Sequence, residues 1–260
     1  MRFGVIYTED GMGWEGNEEV FARAFADAEA VDAGDEEWIV FDATKGELPT
    51  PDQLSDLTGL VLSGSHRSAW ADEETVAWIK PLKVWLATHW GDASSAPPLA
   101  AICFGHQILA ASLGGQAGPN PTGIERLGVE TLETGEAWDA WVAAQGVEED
   151  REETGVVRVY VAHNDCVVQP PPQAQVLATS PGAETEVFAI AHNVFSIQGH
   201  PEFDASTMDA LVNAHAEADP EAHDQGKAFT QATLGVDGIE PHNAFLRKLI
   251  RSFLVSHVSS

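Results

Sequence analysis

The first hundred residues alternate between short apolar runs and stretches with helical apolar spacing. Phe3–Tyr7, Trp38–Phe41, Leu60–Leu62 and Leu99–Ile102 have the length and apolar character of buried strands. Between them, Glu18–Ala30 places Val20, Phe21, Ala24 and Phe25 at helical spacing, and Thr75–Trp90 puts Trp78, Leu82 and Trp85 on a shared face. Strands alternating with helices predict an α/β protein whose mostly parallel central sheet is flanked by helices. Beyond Gly114-Gly115 the runs shorten: Gly128–Leu132, Val156–Ala162, Val176–Thr179, Val187–Ala191 and Val194–Gln198. An acidic insert at about 134–154 contains Glu148–Glu153, but Trp138 and Trp141 give part of it the character of a short packed helix. A C-terminal helical tail, about 205–260, passes through an acidic stretch, Glu217–Asp224, to an apolar-periodic helix over Phe245–Val255. No repeat or Gly/Ser-rich linker divides the chain, which reads as a single domain over 1–260.

Chemistry enters at Ala100-Ala-Ile-Cys103-Phe-Gly105-His-Gln107-Ile-Leu109. An apolar run turning at one cysteine into helical spacing (Ile108, Leu109, Ala111, Leu113) is the signature of a nucleophile elbow. The helix N-terminus behind the corner favours a thiolate. Ala101 and Gly105 supply the small neighbours that a tight corner needs. His106, next to Gln107 and so about a hundred degrees round the helix from it, is expected to pack. A base can be nominated in Val194-Phe-Ser-Ile-Gln198-Gly199-His200-Pro201-Glu202-Phe203. If the strand continues, residues 200 and 202 point to one side. A carboxylate beside an imidazole fixes its tautomer and stabilises the imidazolium. Cys103, His200 and Glu202 thus make a candidate nucleophile, base and orienter.

These motifs together resemble the class I glutamine amidotransferases, in the branch near the amidotransferase domain of guanosine monophosphate synthetase that includes stand-alone gamma-glutamyl peptidases. Ile102-Cys-Phe-Gly-His-Gln107 and Gln198-Gly-His-Pro-Glu202 match the nucleophile and H-P-E motifs. Leu60-Val-Leu-Ser63-Gly64-Ser65 resembles the strand and loop supplying an oxyanion-hole amide. Tyr160-Val-Ala-His163-Asn-Asp165 resembles the branch's H-x-D loop, and Ile124-Glu125 with Gly128, spaced one residue wider, its E-x-G segment. The likeness runs from about Met1 to Phe203. It departs at Ala101 and Ser65, where glycine is usual, and at Gly199, where synthetase-linked members carry a bulky residue and stand-alone peptidases are the nearer match. The resemblance implies a flavodoxin-like class I glutamine amidotransferase fold whose later strands form a small antiparallel portion. It implies cleavage of a gamma-glutamyl amide, glutamine or a gamma-glutamyl peptide, through a glutamyl thioester on Cys103. Backbone amides of Phe104 and of Ser65 or Gly64 would hold the oxyanion, with Gln107, His163 and Asp165 binding substrate. No metal or cofactor is required. An ammonia-supplying subunit for a separate synthetase is the alternative, and a silent binding protein on the same fold is a third.

Composition narrows the remaining classes. With 41 acidic against 13 basic residues the net charge is −28, which disfavours direct contact with nucleic acid or an anionic membrane. The surplus reads first as a solvated acidic surface, as in a high-salt cytoplasm, and second as a face for a basic partner. Two cysteines suit a reducing cytosol rather than a disulfide scaffold, and Cys166 reads as a small buried residue. The opening residues read as a strand, not a signal peptide, and no run reaches membrane-spanning length; the expected location is cytoplasmic. His215 and His223 lack zinc-site spacing, and Trp70, Trp78, Trp85 and Trp90 are expected in the core or on helix faces.

Overall fold

Alternate residues of the central strands feed two separate apolar cores. On Leu99–Ile102 (β4), Ala100 and Ile102 join one cluster while Leu99 and Ala101 join the other. Arg2–Tyr7 (β1) divides in the same way, Phe3 and Val5 against Ile6, as does Gly59–Leu62 (β3), Val61 against Leu60 and Leu62. Strands apolar on both faces must be covered on both faces, which is why helices lie on each side of the sheet.

The computed structural model describes residues 1–11, 19–92, 96–148, 155–218 and 241–256, with 221 and 224 as isolated positions. Glu37–Asp42 (β2), β1, β3, β4 and Val194–Ile197 (β11) pair in parallel, in the order β2-β1-β3-β4-β11. The sheet continues antiparallel through Val187–Ile190 (β10), Gln175–Thr179 (β9), Arg126–Thr134 (β6) and Val156–His163 (β7). The fold is therefore the expected one, a parallel centre with helices on its faces and antiparallel strands beyond. A separate ribbon, Gln116–Pro119 (β5) with Asp165–Gln169 (β8), has no counterpart among the strands expected from sequence.

One face carries Glu19–Phe25 (α1), Glu136–Ala144 (α6) and Asn243–Val255 (α8). The last buries Leu246, Leu249, Ile250, Phe253 and Leu254. Trp141 of α6 stacks on Phe195 at 4.6 Å, so the acidic insert begins as a core helix. Residues 149–154 of the insert lie outside the described residues, as do Glu18 and residues 219, 220, 222 and 223, the last being His223. The opposite face carries Pro51–Ser55 (α3), Ile79–Trp90 (α4) and Phe104–Ser112 (α5). Ala205–Ala218 (α7) packs Met208 against Leu127 and Phe203 in a small third cluster.

Two helices differ from the periodic reading. The helix expected over Thr75–Trp90 starts only at Ile79, because Pro81 has no N–H for the carbonyl of residue 77 and its ring excludes a helical turn before it. The helix expected over Glu18–Ala30 breaks after Phe25. Asp27 then caps a second short helix, Ala28–Asp32 (α2), by accepting the amides of Glu29 and Ala30. Trp70 lies in neither core nor helix and is 48% exposed. Among the described residues no helix is long and apolar enough to cross a membrane.

Candidate active site

The carboxyl ends of β1, β3, β4 and β11 lie side by side, and the chemistry-bearing loops leave from there. Cys103 sits between β4 and α5 with φ 51° and ψ −108°, a conformation that costs a non-glycine residue roughly 1–3 kcal/mol. Its N–H donates to the Ile197 carbonyl at 2.9 Å, tying the corner to the neighbouring strand. Gly105 permits the close approach behind it. A Cβ there would lie 2.6 Å from the Leu62 carbonyl oxygen, and its N–H donates to the Ser63 carbonyl at 3.1 Å.

His200 and Glu202 meet, but not through strand alternation: β11 ends at Ile197 and both residues lie in the turn after it. The turn is tightly held. The His200 N–H donates to the Tyr160 carbonyl at 2.7 Å, and the Asn243 amide donates to the carbonyls of His200 and Phe203 at 2.8 and 2.9 Å. The Phe203 ring stacks on the imidazole at 4.2 Å. Nδ1 of His200 lies 2.7 Å from Oε1 of Glu202, which leaves Nε2 for chemistry. Burial opposes charge on this imidazole, but the Cys103 sulfur and then the Glu202 carboxylate outweigh it and raise its pKa to about 10. The geometry therefore favours a protonated imidazole beside the sulfur.

Gly64 packs against this pair: a Cβ would stand 3.2 Å from His200 Cε1 and 3.5 Å from Cys103 Cβ. Its carbonyl accepts from the hydroxyls of Thr8 and Ser63, each at 3.0 Å. Because a trans peptide sets C=O and the following N–H in opposite directions, those hydroxyls also fix where the Ser65 N–H points. The neighbouring amides are engaged, His66 by Glu9 and Arg67 by the Ser65 hydroxyl. Among the described residues, the Ser65 and Phe104 amides have no protein acceptor.

A cavity of about 420 Å³ is lined by every side chain nominated from sequence except Phe104, whose ring packs edge-on to Trp78 in the core. Its polar wall also has Glu9, Arg67 and Glu125; Val20, Phe21, Phe203 and Leu211 form an apolar side. Gln107 donates its side-chain amide to the Asp165 carbonyl at 2.9 Å and to Gln198 Oε1 at 3.2 Å, so only its oxygen remains for a ligand. His163 Nδ1 donates to the same Asp165 carbonyl at 2.9 Å, and its buried Nε2 has no partner among the described residues. Burial, aided by the Arg126 charge, lowers the His163 pKa to about 3, so Nε2 is a neutral acceptor. The Asp165 carboxylate accepts from the Ser68 hydroxyl at 2.5 Å.

His106 packs as expected, between the Ser196 hydroxyl and the Thr185 carbonyl, with burial lowering its pKa to about 3. Cys166 is buried and desolvation pushes its thiol up to about 12. Thr8 and Gln198 received no role from sequence. Thr8 carries no signal beyond being a polar residue at the end of an apolar strand, and Gln198 was hidden inside a motif read for its histidine. Glu9, Asp10 and His66 place potential ligand atoms together, but His66 pairs with Glu9, and Asp10 binds Arg67 at 2.8 Å and Trp78 at 3.1 Å.

Residues 54–216 match the sequence profile of the family described as "Glutamine amidotransferase class-I". Gamma-glutamyl peptidase 3 of Arabidopsis thaliana is 27% identical over 222 residues, covering 84% of this chain and 83% of that protein. A Saccharomyces cerevisiae protein described as a candidate glutamine amidotransferase is 33% identical over 178 residues, which are 66% of this chain and 64% of that one. The glutamine-hydrolyzing GMP synthase of Aeropyrum pernix is 30% identical over 149 residues, 57% of this chain but only 25% of the synthase. In fold, a glutamine amidotransferase from Thermotoga maritima superposes with a TM-score of 0.65 at 20% identity, covering 100% of this chain and 98% of the other.

Proposed function

Since the chain belongs to the class I glutamine amidotransferase family, we propose that it is a cysteine hydrolase that cleaves a gamma-glutamyl amide through a thioester on Cys103. The observation that carries this reading is the buried His200, held by Glu202 at 2.7 Å and sharing one cavity with Cys103, whose sulfur and the carboxylate both raise the imidazole's pKa. Cys103 Sγ attacks the side-chain carbonyl carbon, and the amides of Phe104 and Ser65, with Gly64 behind, receive the oxyanion. Losing one such donor costs on the order of a hundredfold or more in rate. His200 Nε2 passes its proton to the departing nitrogen, and the C–N bond breaks to leave the glutamyl thioester. The same imidazole then takes a proton from water as it attacks, glutamate leaves, and Cys103 returns as thiolate. His163 Nε2 and the Gln107 oxygen are acceptors suited to N–H groups of the substrate, and the Asp165 carbonyl sets both in place.

The size and lining of the cavity support a substituted gamma-glutamyl amide over glutamine alone. About 420 Å³ falls among pockets that enclose drug-sized ligands, and its apolar side has no partner in ammonia. The alternative, a glutaminase subunit serving a separate synthetase, draws on the GMP synthase relatives. Steady-state assays of the purified chain with glutamine and with gamma-glutamyl dipeptides separate them. Turnover of the dipeptides by the chain alone, lost in Cys103→Ala, supports the hydrolase. Turnover of glutamine only, and only with a synthetase added, supports the subunit.

A further inference from the structure

Behind the nucleophile lies a chain of buried amides that neither the triad nor the oxyanion loop includes. Gln198 is fully buried, and its side-chain nitrogen stands 3.7 Å from Cys103 Sγ, within reach of an N–H···S hydrogen bond. We propose that the Gln198 side-chain amide donates to the Cys103 sulfur and holds it as a thiolate, and that Gln107 fixes which end of that amide faces the sulfur.

Orientation follows from one backbone carbonyl. A carbonyl oxygen can only accept, so the Asp165 carbonyl at 2.9 Å obliges Gln107 to present its NH₂ group there. The same NH₂ faces Gln198 at 3.2 Å, where only an oxygen can answer it. Gln198 must then turn its own NH₂ to the other side, and on that side lies the sulfur. Reversing Gln198 would set two NH₂ groups against each other in a buried space and aim a carbonyl oxygen at a thiolate. The Gln198 backbone is held as well, its N–H donating to the Glu186 carbonyl at 2.8 Å.

A hydrogen bond to an anion is roughly twice as strong as one to a neutral acceptor, so this donor favours the thiolate over the thiol and over the thioester sulfur. It therefore lowers the energy of the resting nucleophile and of the sulfur leaving the acyl-enzyme in the second half of the cycle. Gln198 touches a reacting atom and is a catalytic residue on this account; Gln107 acts through it and is a positioning residue.

The inference rests on Cys103 as nucleophile, but its test reads the sulfur itself and does not need turnover. Alkylation of Cys103 by iodoacetamide is followed against pH, with the modified peptide identified by mass spectrometry; Cys166, buried with a raised pKa, serves as the internal unreactive thiol. Gln198→Leu and the unbranched Gln198→Met are both made, and the result is taken from whichever keeps a cooperative melt. The expected outcome is a midpoint raised by about one pH unit, a tenfold loss of thiolate below it. Gln107→Leu should move it in the same direction by less. An unchanged midpoint in a folded Gln198 variant overturns the donor, even if kcat or Tm falls. An unchanged midpoint in Gln107→Leu beside a shifted Gln198 variant overturns the orienting role.

Discussion

Glu186 is a carboxyl group that the fold keeps neutral, and replacing it with glutamine should stabilise the protein as pH rises. The side chain is fully buried, its Oε1 accepts from the Ser180 hydroxyl at 2.6 Å, and its Oε2 has no partner among the described residues. Desolvation, and then the nearby Glu130 carboxylate, raise its pKa from an ordinary 4.5 to about 8; Ser180 and Arg126 only partly offset them. Between those two values the folded protein holds a proton that the unfolded chain releases. In that window Glu186 alone lowers stability by about 1.4 kcal/mol for each unit of rising pH. Below pH 4.5 both states are protonated and the penalty vanishes; above pH 8 both are ionised and the penalty is complete. Across the whole window it amounts to several kcal/mol, on the order of 5 as an upper limit. The Glu186→Gln variant keeps an oxygen for the Ser180 contact and carries no proton to lose. Urea unfolding of both proteins at steps from about pH 5 to about pH 9 isolates the residue, because the many surface carboxylates cancel in the difference. The stability of Glu186→Gln minus that of the wild type should grow with pH and level off near 8. A difference independent of pH would mean that Glu186 carries no extra proton in the folded protein.

Three further substitutions probe the site. Glu202→Gln removes the carboxylate that orients and charges His200, and kcat should fall on the order of a thousandfold with the melting temperature little changed. Gly64→Ala places a methyl group 3.2 Å from His200 Cε1 and 3.5 Å from Cys103 Cβ; steady-state kinetics should show kcat lowered by about tenfold to a hundredfold. Gly199→Ala forces a Cβ to within 2.5 Å of Val159 Cγ1 and 3.1 Å of the Tyr160 carbonyl, and denaturant titration should show a loss of about 1–3 kcal/mol.

The parallel centre was legible because its strands are apolar on both faces, a pattern surface loops do not share. The elbow was legible because Ile102-Cys103-Phe104-Gly105 must combine a strand end, a sharp corner and a close helix approach in four residues. Less visible was how His200 and Glu202 meet. Period-two alternation gave the right pairing for a reason the turn after Ile197 does not share; the contact depends on Tyr160, Phe203 and Asn243, all distant from the motif or silent within it. The late start of α4 was readable from Pro81, which periodicity alone overlooks, and the break before Ala28 from the capping position of Asp27. The β5–β8 ribbon and the Thr8 hydroxyl are tertiary facts. Nothing in their local sequence says that one sets the His163 loop and the other fixes the Gly64 carbonyl.

The proposed reaction passes a glutamyl group through Cys103, where a covalent adduct would be caught directly. Mixing the protein with a gamma-glutamyl anilide, quenching in acid within the first turnovers and sequencing the peptides by mass spectrometry reports where the acyl group resides. The prediction is a gamma-glutamyl adduct on Cys103 that hydroxylamine removes and that Cys103→Ala cannot form. Glutamate released while the Cys103 peptide stays unmodified, at a rate Cys103→Ala retains, would contradict it.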